Sequence, residues 1–268
     1  MTVVVAWKRK LKQGPEELCF ASDSRLRDGR TIDFAQKIFT LNRGDAAIAF
    51  AGDTAIAYPY ILQVINSLDG FVASRTRGMD IIEVRAHIIK ILNQIVDGIE
   101  TPIEEEKIPN VEIILGGYSW IKKEFYIWHI HYFKKMKKFH YDSAKNWGRI
   151  KKCIVFAGDK GKALMEKFST EMRSIHGKSV KDMYLDLEPL KCLTDMLLKS
   201  RSNSTIGFPP QFAKVYQHLN ARQIPVCYKD SIYYCGRKLF GYERIDRWPL
   251  SLHTFESVDP KQIGEENT

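Results

Sequence analysis

Met1-Thr2-Val3-Val4-Val5-Ala6 heads the sequence, and three later stretches give it meaning. They are Phe20-Ala21-Ser22-Asp23-Ser24-Arg25, then Ala35-Gln36-Lys37-Ile38-Phe39-Thr40-Leu41, then Ala46-Ala47-Ile48-Ala49-Phe50-Ala51-Gly52-Asp53-Thr54-Ala55. The first is a threonine opening a β-branched apolar run, which predicts a strand over residues 3–7. The second ends a strand in a polar turn. The third puts a lysine at the head of a short strand. The fourth is a small-residue strand closed by a glycine and followed by a helix start. Removal of Met1 would leave Thr2 with a hydroxyl and a free α-amine on one residue. Such an amine has a reference pKa of about 7.7–8.0, so it is a usable base near neutral pH, and a threonine hydroxyl paired with it is a recognised nucleophile.

This order of segments resembles the β subunits of the proteasome core particle, and still more the bacterial HslV peptidase and the related Anbu group. The resemblance implies an α+β fold, a four-layer αββα sandwich of two antiparallel sheets flanked by helix pairs (the Ntn-hydrolase fold). It implies Thr2 as nucleophile, Asp23 and Lys37 flanking it, and Gly52 lending its N–H to the oxyanion. It also implies peptide or unfolded-protein substrates, a homo-oligomer (a ring or an open spiral) and room for an unfoldase ATPase as partner. No cofactor is expected. The match is good over roughly the first third of the chain and loose beyond it.

At 268 residues with 44% hydrophobic content, the chain can build a sizeable core. A single domain over residues 1–255 with a polar tail over 256–268 is expected. No run of about twenty apolar residues occurs and no signal-peptide pattern opens the sequence, so a cytoplasmic protein without membrane contact is expected. The five cysteines (Cys19, Cys153, Cys192, Cys227, Cys235) lack CxxC spacing and read as reduced thiols. The formal charge of +9 comes from dispersed lysines and arginines. The densest clusters (Lys8-Arg9-Lys10, Lys134-Lys135-Met136-Lys137-Lys138, Arg149-Ile150-Lys151-Lys152) read as solvated strand flanks, not a nucleic-acid surface.

Further strands are expected over residues 18–21, 37–41 and 46–51. Asp53 can cap a helix whose apolar face is Ala57, Ile61, Val64, Ile65 and Leu68. Asp80 with Glu83 forms a capping-box start to a stripe of Ile81, Val84, Ile88, Ile91, Leu92 and Ile95. That stripe is expected to supply an oligomer interface, with plain core as the rival reading. Residues 100–109 read as an exposed loop. Strands are expected over 111–115 and 124–132 with Gly116-Gly117 as a turn, then over 139–141 and 153–157. Helices carry Leu164, Phe168, Met172 and Ile175, then Leu190, Leu193, Leu197 and Leu198. After a turn at Phe208-Pro209-Pro210, short strands fit 225–228 and 231–234.

The proposed chemistry is acyl transfer. Thr2 attacks, and its own amine takes the hydroxyl proton and returns it to the leaving group. A Lys37 ammonium lowers the hydroxyl pKa, and Asp23 holds the lysine by a charge-assisted hydrogen bond. Gly52 lets substrate approach the backbone ahead of a helix start, where N–H groups point outward. Arg25, Asn203 and Ser204 are accessory candidates. Two departures from the family pattern stand out. The turn after residues 153–157 reads Gly158-Asp159-Lys160-Gly161, where a Gly-Ser-Gly is usual. In Ser202-Asn203-Ser204-Thr205-Ile206-Gly207, Asn203 stands where an aspartate is expected. His129 and His131 share a strand face and could bind metal, yet no carboxylate or cysteine partner is near in sequence, so exposed strand histidines are the plainer reading. Alternative functions are a small-amide amidohydrolase of the same fold and a catalytically silent subunit that keeps Met1.

Overall fold

The computed structural model describes residues 2–10, 14–28, 30–99, 110–147, 150–176, 184–218 and 220–263. Met1, residues 100–109 and the last five residues of the expected tail lie outside them.

Strand β1 (Val4–Lys10) is buried on both faces over its first half, which is why its β-branched run is unbroken. It pairs antiparallel with β2 (Glu16–Ser22), Val4 opposite Ser22. The hairpin of β3 (Leu26–Asp28) and β4 (Arg30–Ile32) follows. Strands β5 (Ile38–Thr40) and β6 (Ala46–Gly52) pair with each other and begin a second sheet. Helix α1 (Thr54–Gly70) starts at Asp53, whose side chain accepts from the Ala55 N–H, and the short α2 (Val72–Arg75) follows. Helix α3 (Ile81–Asp97) opens on the expected capping box. Asp80 accepts from the Ile82 N–H at 3.1 Å, and Glu83 accepts from the Asp80 N–H at 2.8 Å.

Strands β7 (Val111–Ser119), β8 (Glu124–Phe133) and β9 (Lys138–Ser143) complete the second sheet in the order β5-β6-β7-β8-β9. Next come β10 (Lys145–Trp147), β11 (Ile150–Ala157), α4 (Gly161–His176), α5 (Glu188–Leu198), β12 (Gln211–Tyr216) and β13 (Asn220–Ile224). The first sheet thus runs β10-β11-β1-β2-β12-β13. A smaller third sheet holds β14 (Val226–Tyr228), β15 (Ser231–Tyr234), β16 (Arg237–Lys238) and β17 (Leu250–Ser251). The expected tail is anchored at its start, where Ser257 bridges to Leu250.

Three clusters of buried side chains show how the elements pack. Val3, Val5 and Trp7 turn one way, onto Leu164, Phe168, Leu190 and Leu193 of α4 and α5. Val4 and Ala6 turn the other way, onto Ala47, Ala49 and Ile114 of the second sheet. On that sheet's far face, Ile48 and Phe50 meet Ile61 and Val64 of α1 and Ile81, Val84, Ile88 and Leu92 of α3.

Two expectations are corrected here. Gly116-Gly117 is not a turn but the interior of β7, and the reversal comes after Ser119. A Cβ on Gly116 would sit 2.7 Å from a methyl of Leu18 and 2.9 Å from Phe20, and one on Gly117 would sit 2.7 Å from the Asp45 carbonyl. These glycines permit close layer packing, the other use of glycine inside a strand. The α3 stripe is chiefly core: Ile81, Val84, Ile88 and Leu92 are fully buried, and Ile91 and Ile95 lean on the same cluster. β12, absent from the sequence reading, is a central strand between β2 and β13.

Candidate active site

Sheet pairing brings the named residues together. The Val4–Ser22 register sets Asp23, just past β2, beside Val3. The Val3 N–H donates to Asp23 Oδ1 at 3.1 Å, and the Asp23 N–H donates to the Val3 carbonyl at 3.3 Å. Thr2, one residue further back, is therefore fixed relative to Asp23 by backbone geometry. Lys37 enters from the other sheet, immediately before β5.

Thr2, Asp23 and Lys37 are each 0% exposed. The Lys37 Nζ donates to Thr2 Oγ1 at 2.9 Å, Asp23 Oδ1 at 2.8 Å and the Arg25 carbonyl at 2.5 Å. Three protons meet three acceptors, so the ammonium is satisfied without water. Asp23 Oδ2 takes the Arg25 N–H at 3.0 Å and the Gly207 N–H at 3.3 Å. A carboxylate with this many donors is fully partnered in a buried site, and its position is over-determined. Burial lowers the proton affinity of Lys37 below the ordinary lysine value, and the Asp23 charge and hydrogen bond act against that.

The turn after β11 cradles the Thr2 backbone. Gly158 has φ +90°, and a Cβ there would lie 2.1 Å from the Thr2 carbonyl oxygen, so only glycine fits. Asp159 Oδ1 accepts from the Thr2 nitrogen at 2.5 Å, and its Oδ2 accepts from Thr205 Oγ1 at 2.9 Å. The turn supplies a carboxylate where a serine was looked for; in the 202–207 loop Asn203 stands where an aspartate was looked for, and the hydroxyl that reaches Asp159 is that of Thr205. The departure itself was visible in the sequence; that Asp159 and Thr205 meet was not.

Gly52 closes β6 at the corner into α1 with φ +113°, and a Cβ there would collide with the Asn110 carbonyl at 1.8 Å. Its neighbour Ala51 packs against the Gly158 turn. The side chains of the accessory candidates point away from the Lys37 ammonium to other partners, although the Arg25 backbone belongs to the site. Arg25 grips Asp33 with two nitrogens, at 2.6 and 2.8 Å, and donates to the carbonyls of Arg201, Ser202 and Ser204 at 3.1–3.2 Å. It is a tether for the loop that carries Thr205. Asn203 sits exposed and gives its carbonyl to Arg27, while the Ser204 hydroxyl accepts from the Ile206 N–H at 3.3 Å.

Gln211, the first residue of β12 and 2% exposed, was missed. Its Nε2 donates to the carbonyls of Asp23 at 3.2 Å and Ala35 at 2.6 Å and to Ser24 Oγ at 3.1 Å, and its Oε1 accepts the Lys37 N–H at 2.9 Å. One amide thus ties the Asp23 turn to the Lys37 strand. The Gly236 hairpin of the third sheet backs it, since a Cβ there would lie 2.7 Å from Ser24 Oγ.

No protein-family model matches the sequence, and no curated protein matches it. Among solved structures, the chain is similar to Anbu (ancestral beta-subunit) from Yersinia bercovieri, at 16% identity and a TM-score of 0.56 over 87% of each chain. The likeness takes in the second half of the chain, where the sequence resemblance was loose, and it shows that this protein has the fold of Anbu.

Proposed function

We propose that this protein is an N-terminal threonine hydrolase that cleaves peptide bonds inside a self-assembled oligomer. The observation that carries the reading is the buried Lys37 ammonium, 2.9 Å from Thr2 Oγ1 and backed by Asp23. An exposed strand lysine has no cause to be fully buried against a hydroxyl. Burying a cation is costly unless the charge is used or paired, and here it is paired with Asp23 and aimed at one oxygen.

In the proposed mechanism Met1 is removed and the Thr2 α-amine becomes the base. The hydroxyl proton passes to that amine, directly or over one water, while Lys37 favours the developing alkoxide. Oγ1 adds to the peptide carbonyl, and the Gly52 N–H at the strand-to-helix corner stabilises the oxyanion, a contribution of typically about 10²–10³ in rate. Collapse releases the amine half of the peptide with the proton from the α-amine. Water then hydrolyses the ester on Thr2 by the same route. Asp159 orients the Thr2 nitrogen through its hydrogen bond.

The core clusters, read in order as helices, sheet, sheet and helices, support an αββα sandwich. Exposed Leu62, Phe71 and Val72, along α1 and into α2, support an assembly face for further copies. The five free thiols and the lack of any helix long and apolar enough to cross a membrane, among the described residues, are in keeping with a cytoplasmic setting. The test is turnover of fluorogenic peptides by wild type and Thr2→Ala. The variant should lose all turnover and keep its fold; equal turnover in both would refute the assignment.

A further inference from the structure

The two strand histidines have the partners that their sequence neighbourhood lacks. On the face of the second sheet that looks toward the first, cross-strand pairing sets His129 opposite Asp142 and His131 opposite Glu112. A nitrogen of each imidazole and a carboxylate oxygen of Asp142 all lie within 4.8 Å of one another. Glu112 Oε2 is 2.7 Å from His129 Nε2, which fixes that ring.

We propose that His129, His131 and Asp142 bind one divalent transition-metal ion of the zinc class, with Glu112 orienting His129 from outside the ligand set. Two imidazoles and a carboxylate suit zinc, cobalt or nickel and not magnesium or calcium, which prefer oxygen. The spacing fits. Metal–ligand distances of about 2.0–2.2 Å in a tetrahedron put ligand atoms about 3.4 Å apart, and His131 Nδ1 already stands 3.9 Å from Asp142 Oδ2. That separation is too long for a hydrogen bond, and His131 Nδ1 is shielded from solvent without a hydrogen-bond partner among the described residues. An ordinary His129–Glu112 ion pair accounts for one ring and leaves the other unexplained, whereas one ion accounts for both. A carboxylate behind a ligating histidine is the usual outer support of such sites. The ligands stand on neighbouring strands of a paired sheet, so little chain entropy opposes assembly of the site. The site does not rest on the peptidase reading.

Isothermal titration of the chelator-stripped full chain with zinc chloride at pH 7.5 tests this, with cobalt(II) absorption as a second readout. One equivalent should bind with a Kd in the micromolar range or below. His131→Ala and the conservative, surface-placed Asp142→Asn should each weaken binding at least about tenfold while circular dichroism stays native. Cys235→Ser should leave binding unchanged. Absence of binding, unchanged affinity in both ligand variants, or loss of binding in Cys235→Ser alone would each overturn the proposal.

Discussion

Lys37 is where the chemistry of this molecule is most constrained. Its ammonium touches the candidate nucleophile, so in the proposed reaction its charge and not its bulk is what counts. Lys37→Ala should lower kcat by at least about 10²–10³, the scale of one lost stabilising donor, with KM for peptides nearly unchanged; steady-state kinetics on short peptides reads the split. Burial lowers the Lys37 pKa, so the charged form is present at low pH and is lost as pH rises through a value below that of ordinary lysine. The alkaline limb of the kcat/KM profile should therefore fall early. Asp23→Asn removes the group that raises that pKa, and the limb should move to still lower pH. A profile flat to the ordinary lysine range, or a limb that moves upward in Asp23→Asn, would contradict the account. Of the candidate-site residues, Thr2, Asp23, Lys37 and Gly52 were named from sequence, because each stands in a short segment that carries the family resemblance. Asp159, Thr205 and Gln211 were not, because their roles exist only where three distant segments meet.

At the scale of elements, most strands and helices follow from local pattern. The capping box at Asp80 and Glu83 and the cap at Asp53 are set by a few adjacent residues and were readable. β12 was not, because its six residues directly follow Pro209-Pro210 and its partner strand β2 lies far away in sequence. The misreading of Gly116-Gly117 has a different origin: glycine serves both turning and close packing, and only the layers decide which. Gly117→Ala should therefore destabilise by about 1–3 kcal/mol, the usual cost of overpacking, because its Cβ would press on Ala46 and Ile81 as well as the Asp45 carbonyl. Urea denaturation monitored by circular dichroism measures this, and a variant as stable as wild type would show that β7 has slack that the packing denies. The His129–Asp142 neighbourhood was hidden for the same reason as Gln211, since cross-strand register is not written in either strand alone.

For the whole molecule, the α3 stripe is chiefly taken up by the protein's own core, so the proposed assembly would use other surface. Leu62, Phe71 and Val72 are 50%, 44% and 59% exposed and near one another in sequence along α1 and α2. Leu62→Glu with Val72→Glu should release monomers without unfolding the chain, as analytical ultracentrifugation would show, and should lower peptidase activity with it if assembly confines the site. A wild-type protein that is monomeric at all concentrations would remove the assembly from the account. The central claim is that Thr2 acts as a free N-terminal nucleophile, and the intact mass of the purified protein after reaction with a peptide epoxyketone tests it most directly. The account predicts a chain lacking Met1 and carrying one adduct, with no adduct on Thr2→Ala. Retention of Met1, or equal labelling of the alanine variant, would contradict it.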